Sequence, residues 1–198
     1  MQNLKLIFIV FFCCFSQVSY SYTPKEGNVT ANLGTFIYKT SFKGSTSGAS
    51  SNTRGGLGII VNGDINDKGA LEIAMFHMNK IFFREENGLF VAEETDLVHI
   101  TMGYRRFFSS LLSASLALYS SYSLGTSRLV HSDFLFGNEI DTSAKDITEY
   151  GLDLAIQYEL WSQERFAAVL DLRYAYSVTN KFNETSDHYG VFLALRYF

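Results

Sequence analysis

From Thr148 to Val178 the chain alternates between two kinds of side chain with a period of two. Tyr150, Leu152, Leu154, Ile156, Tyr158 and Leu160 fall on one face, and Gly151, Asp153, Ala155, Gln157 and Glu159 on the other. After a polar break at Trp161-Ser-Gln-Glu-Arg165, Ala168, Leu170, Leu172, Tyr174, Tyr176 and Val178 continue one face. Ala167, Val169, Asp171, Arg173, Ala175 and Ser177 continue the other. Such alternation over two runs separated by a short break predicts a β-hairpin. One face is continuously apolar and ends in aromatics, while the other mixes small residues with charges of both signs. That is the pattern of a strand pair with lipid on one side and a polar lumen on the other.

The same pattern extends along the chain. Strands are predicted at about 29–42, 56–65, 70–83, 97–107, 112–122, 148–160, 166–178 and 189–198. In 29–42 the alternate positions include Phe36, Tyr38, Thr40 and Phe42. In 70–83, Leu71, Ile73 and Met75 oppose Glu72, Ala74 and Phe76 before Ile81-Phe82-Phe83 blurs the period. Residues 89–96 read equally as loop or as strand extension. Eight strands are joined alternately by long segments (43–54, 84–96, 125–147, 179–188) and by turns (66–69, 107–110, 161–165). Each strand is close to the roughly 9–11 residues that cross a bilayer when tilted. The expected fold is all-β, a closed antiparallel eight-stranded transmembrane barrel. A soluble secreted barrel for a small ligand is the alternative, and it requires the opposite sidedness, greasy inside and polar outside.

Composition sharpens this reading in three respects. The chain has 198 residues, 47% of them hydrophobic, with 18 Phe, 12 Tyr and one Pro, which suits one strand-rich domain. Its net charge of −4 gives no electrostatic footprint for nucleic acid. Residues 1–21 have the three parts of a secretory signal peptide: a positive start through Lys5, an apolar run from Leu6 to Phe15, and small residues Ser19 and Ser21 before a cleavage point at Tyr22. The apolar run is too short for a helical membrane span, for which about 20 residues are needed. The barrel domain is then 22–198. Cys13 and Cys14 lie in the leader, so the mature domain offers no thiol chemistry and no disulfide.

As an architecture, the mature chain resembles the small eight-stranded outer-membrane barrels of Gram-negative bacteria, the OmpA/OmpX-like group. The motif that carries the likeness is the terminal strand Tyr189-Gly-Val-Phe-Leu-Ala-Leu-Arg-Tyr-Phe198. In that group a terminal aromatic strand is read by the barrel-assembly machinery, which would make Tyr189, Leu193, Leu195, Tyr197 and Phe198 the assembly signal. The usual signal has its hydrophobic residues in step with the last Phe, whereas here they are in step with Tyr197, so the register of this strand is left open. The resemblance further implies outer-membrane lipid as the surroundings, with turns and C-terminus in the periplasm.

Candidate chemistry is sparse. Glu72, Arg105, Asp153, Glu159, Asp171, Arg173 and Arg196 all fall on the lumen face, where charges must pair. Asp153 is expected approximately opposite Arg173, and Asp171 within reach of Arg196. Two readings follow, a salt-bridge network that plugs the lumen or a gate that opens a small pore for ions or solutes. His131-Ser132-Asp133 unites the triad residue types, but neighbours in sequence rarely converge as a triad requires. No enzyme site, metal site or cofactor is expected. Phe107, Phe108 and Trp161 are expected at the membrane interface, with Tyr197 and Phe198 at the same rim. Segments 43–54 and 125–147, the latter with Phe134-Leu-Phe136, are the candidate surfaces for an extracellular partner.

Overall fold

The computed structural model describes residues 21–40, 52–134 and 140–198. The period-two alternation builds eight long strands: β1 Val29–Thr40, β2 Arg54–Asn66, β3 Gly69–Glu86, β4 Leu89–Phe107, β5 Leu112–Ser123, β7 Thr148–Gln163, β8 Phe166–Ser177 and β10 His188–Tyr197. Two short strands, β6 Arg128–Ser132 and β9 Glu184–Thr185, and a 3-10 turn at Ser143–Lys145 lie in the connections. Every long strand pairs antiparallel with its successor, and β1 pairs with β10, from Ala31↔Tyr197 to Thr40↔His188. The sheet is therefore a closed ring in which backbone groups are satisfied strand to strand. No helix among the described residues is long and apolar enough to cross a membrane.

The turns after β2, β4 and β7, the first described residues and Phe198 gather at one end, here called the turn end; the connections after β1, β3, β5 and β8 occupy the loop end. The β7–β8 turn is tighter than the sequence indicates, with Glu164 at a positive φ of 49° and a register irregularity between Glu159 and Trp161. This sets Asp153 opposite Ala175 and Arg173 opposite Ala155, one diagonal step from the facing register expected.

Side chains sort by sidedness. Leu33, Leu57, Leu71, Met102, Leu116, Leu118, Leu154, Ile156, Leu172, Leu193 and Leu195 point outward and are exposed, whereas the alternate positions are buried inside. Aromatics bracket this apolar belt. Tyr122, Tyr150, Tyr176 and Tyr189 are exposed towards the loop end; Tyr104, Phe108, Tyr158, Phe166 and Tyr197 towards the turn end. Two aromatic girdles around an apolar band are the exterior of a transmembrane barrel. The soluble-barrel alternative fails on this sidedness, because the polar surface is inside.

The sequence reading is corrected at the loop end. Residues 84–96 are not a loop. β3 and β4 run on past the other strands to Glu86↔Leu89, closed by Asn87 and Gly88, both at positive φ (54° and 79°). An Asn-Gly pair supplies the two left-handed residues of a type I′ hairpin. β6 adds to the outer part of β4 through Glu94↔Arg128 and Val91↔Ser132, and β9 adds to β3 through Phe83↔Thr185. The 125–147 connection thus carries a strand and a 3-10 turn. Ile81, Phe83, Phe90 and Ala92 form a small core of their own in this extension. The 43–54 segment falls outside the described residues up to 51, and so do Phe42, Leu135 and Phe136; Arg54 belongs to β2.

Candidate functional site, the charged interior

The lumen face of each strand delivers its side chains at fixed heights, so the interior is a stack of layers. Nearest the loop end, Lys80 Nζ on β3 donates to both carboxylate oxygens of Glu149 on β7, at 2.6 and 2.7 Å. Glu149 Oε1 also accepts from Tyr119 OH (3.1 Å) and Ser186 Oγ (2.9 Å). Glu93 accepts from the Thr142 hydroxyl, and the Ser143 amide donates to Glu184 at 2.7 Å, so the 3-10 segment is tied over the mouth.

An aromatic layer follows. Phe36, Tyr38, Phe76 and Phe192 pack with His99 and His188, whose rings meet edge-on with centroids 5.0 Å apart. His99 Nδ1 lies 2.9 Å from Ser121 Oγ, and its Nε2 lies 3.5 Å from Asp153 Oδ2. His188 opens β10 and lies inside, whereas His77 is exposed in the middle of β3.

The central layer is ionic. Arg173 on β8 donates to Asp153 on β7 and to Glu72 on β3, each at 2.8 Å. Its Nε sits 2.8 Å from Asp171 Oδ1, close enough for charge pairing but not angled for a hydrogen bond. Arg105 on β4 donates to Glu72, to Asp171 at 2.8 Å and to Ser113 at 2.9 Å. Gln157 Nε2 gives Asp171 a further bond at 3.0 Å. The aromatic layer covers this one, with the Arg173 guanidinium 5.0 Å from the Phe76 ring centre. Charges this deep are tolerable only when paired and hydrogen-bonded.

Arg196 does not reach Asp171 in a bond, contrary to expectation. Asp171 is opposite Phe192, while Arg196 is opposite Ala167, four positions nearer the turn end. Arg196 instead donates to Asn32 at 3.0 Å, to Glu159 at 3.2 Å and to Gln157. The turn-end mouth below it is filled by Tyr22, Ala70, Phe107 and Phe198. Tyr22 and Phe198 have ring centres 5.0 Å apart.

Phe107 is therefore not an interfacial residue. It shares the inward row of Thr101 and Arg105 and is buried, whereas Phe108 is exposed and Trp161 half-buried at the same rim. In the last strand Tyr189, Leu193, Leu195 and Tyr197 face outward, and Phe198 turns inward onto Tyr22. The register left open by the sequence is thus the one in step with Tyr197. Outside the lumen, His131 Nε2 lies 2.9 Å from Asp133 Oδ1, while Ser132 Oγ accepts from the Phe134 amide at 3.1 Å and faces neither partner. Among the described residues no group of His, Cys, Asp and Glu has the geometry to hold a metal ion.

This architecture has counterparts of known structure. The crystal structure of the outer membrane protein OprG from Pseudomonas aeruginosa superposes with a TM-score of 0.51, covering 88% of this chain and 97% of that one at 12% identity. The fold is that of a small outer-membrane β-barrel. Ail, the attachment invasion locus protein of Yersinia pestis, solved with the heparin analogue sucrose octasulfate, gives 0.48 at 10% identity over 87% of this chain and 99% of its own. AlkL in lipid bilayers, by solid-state NMR, gives 0.42 at 10% identity over 92% and 94%. No protein-family model matches the chain. No curated protein is similar to it in sequence.

Proposed function

We propose that the chain is an integral barrel of a bacterial outer membrane whose interior is a sealed plug, leaving its role to the surface at the loop end. The observation that carries this reading is the bond between Arg173 and Glu72. In the ring order, β8 and β3 are diametrically placed, so this contact spans the whole lumen. Arg105–Asp171 spans most of it in the same layer, and Lys80–Glu149 does so nearer the loop end. An eight-stranded barrel is only just wide enough for side chains to fill it, and here they do. In this orientation the turns and the C-terminus face the periplasm, and lipid surrounds the apolar belt. The outward hydrophobic row ending at Tyr197 is what the assembly machinery would read. The β3–β4 extension with β6 offers a rigid extracellular platform for a partner.

Planar-bilayer recording of the refolded barrel tests the plug, with a heat-dependent gel shift reporting folding. A folded and silent barrel is the expected result. Steady single-channel steps that change on neutralising Asp153 or Arg173 would instead establish the gated pore.

A further inference from the structure

The turn-end mouth is built around a residue with no place in any strand. Tyr22 is buried, its hydroxyl donates to Asp64, and its ring lies against Phe198, Phe107 and the Arg196 guanidinium, the last at 5.3 Å. Its main-chain nitrogen points at Glu159 Oε1, 3.4 Å away. The preceding residue, Ser21, sits half-exposed at the rim, its hydroxyl donating to Ser110 O at 2.8 Å. Asp64 is fastened by the Lys25 amide (2.9 Å) through one oxygen, while its other oxygen is buried without a hydrogen-bond partner.

The charges here do not balance. Buried at the mouth are two carboxylates, Asp64 and Glu159, and one cation, Arg196. From the Lys80–Glu149 pair down to the turn-end mouth the buried charges show the same sign, with carboxylates at Asp64, Glu72, Glu149, Asp153, Glu159 and Asp171 against Lys80, Arg105, Arg173 and Arg196. A buried anion without a counter-charge costs several kcal/mol, roughly, even after relaxation, so this site calls for one more positive group.

We propose that removal of the leader supplies it: hydrolysis of the Ser21–Tyr22 bond creates an α-ammonium on Tyr22 that docks against Glu159 and completes the barrel's periplasmic plug. In that step water adds to the Ser21 carbonyl carbon, the C–N bond breaks, Ser21 leaves as a carboxylate, and the Tyr22 nitrogen takes up protons to become cationic. A leader peptidase is the only other participant. The site deepens no functional role; it holds for a plug or a pore alike.

Three readouts test it on the full mature barrel purified from outer membranes. Its intact mass should correspond to Tyr22–Phe198, and a mass starting at any other residue overturns the proposal. In the folded barrel the α-amine should react with an acylating reagent about ten-fold or more slowly than in the unfolded chain, because reaction requires local opening; equal rates overturn it. Acetylating the α-amine of the unfolded chain near neutral pH is selective, since α-amines titrate at about 8 and lysines at about 10.4. The acetylated chain, refolded, should lose heat resistance in the gel-shift assay. Combined with Glu159→Gln, acetylation should cost nothing further, whereas an undiminished loss in that background would show that the ammonium does not act through Glu159. The protection measurement needs no variant and stands even if Glu159→Gln fails to fold.

Discussion

Arg173 and Glu72 come from strands on opposite sides of the ring and meet at 2.8 Å. Neither can be removed quietly, because each also holds a second partner in the same layer. Arg173→Met leaves Glu72, Asp153 and Asp171 with only Arg105 between them. Breaking a buried ionic set by deleting one member costs about 3–5 kcal/mol. The heat-shift midpoint or denaturant titration in detergent should fall accordingly. A variant as stable as the parent would show that the interior is hydrated enough to screen the network.

The outer face makes the opposite demand. Leu154 and Leu172 lie outward in the apolar belt, where arginine costs about 2–4 kcal/mol near the midplane. Leu154→Arg and Leu172→Arg should slow or prevent insertion into lipid vesicles, read by the same gel shift. Asp153→Asn, one residue away but inward, should insert at the parental rate and lose stability afterwards.

At the tip of the β3–β4 extension, Gly88 has a φ of 79°, a conformation that a β-branched residue adopts only under strain of about 1–2 kcal/mol. Gly88→Val should raise hydrogen exchange and proteolysis between residues 81 and 96. The melting of the barrel below should not move, since the tip has its own small core.

The loop end also carries a pH-sensitive tie. Lys181 Nζ donates to Asp141 at 2.5 Å, and that bond holds the Asp141 carboxyl below its ordinary 3.8. Burial works against the Lys181 charge, but Asp141 and Asp146 outweigh it and raise the amine above 10.5. The depressed acid contributes above its unfolded value and is lost as pH falls through the folded one. The raised base contributes below its unfolded value and is lost as pH rises through the folded one. The tie is therefore complete between about pH 4 and pH 10.5. Asp141 is largely exposed, so its effect is small and local. Exchange protection of residues 141–146 should fall on the acid side, and Asp141→Asn should abolish that acid limb.

What the sequence reveals follows where one face meets lipid. β7 and β8 were readable residue by residue because Leu154 and Asp153 want different solvents. The alternation fails at Ile81-Phe82-Phe83, where both faces are covered and polarity no longer alternates; there the Asn87-Gly88 pair was the informative signal. Phe107 was legible from its parity with Arg105, and its position beside the turn misled. The pairing of Asp153 with Arg173 was within reach of hairpin counting. Arg196 was not, since its neighbours depend on the stagger between strands that meet only when the ring closes. Tyr22 was marked as a cleavage point, but nothing in the pattern of its neighbours announces that its ring fills a mouth.

The ring closes through β1 and β10, joining Ala31 to Tyr197 across nearly the whole length of the chain. Until that seam forms, any partial sheet presents two unsatisfied edges, which hydrocarbon does not tolerate. Loop-closure entropy makes so distant a pairing slow. Folding of this molecule is thus a race in which the last partner to arrive decides the outcome: stalled intermediates are worth almost nothing, and the kinetics should be governed by when the C-terminal strand finds the first.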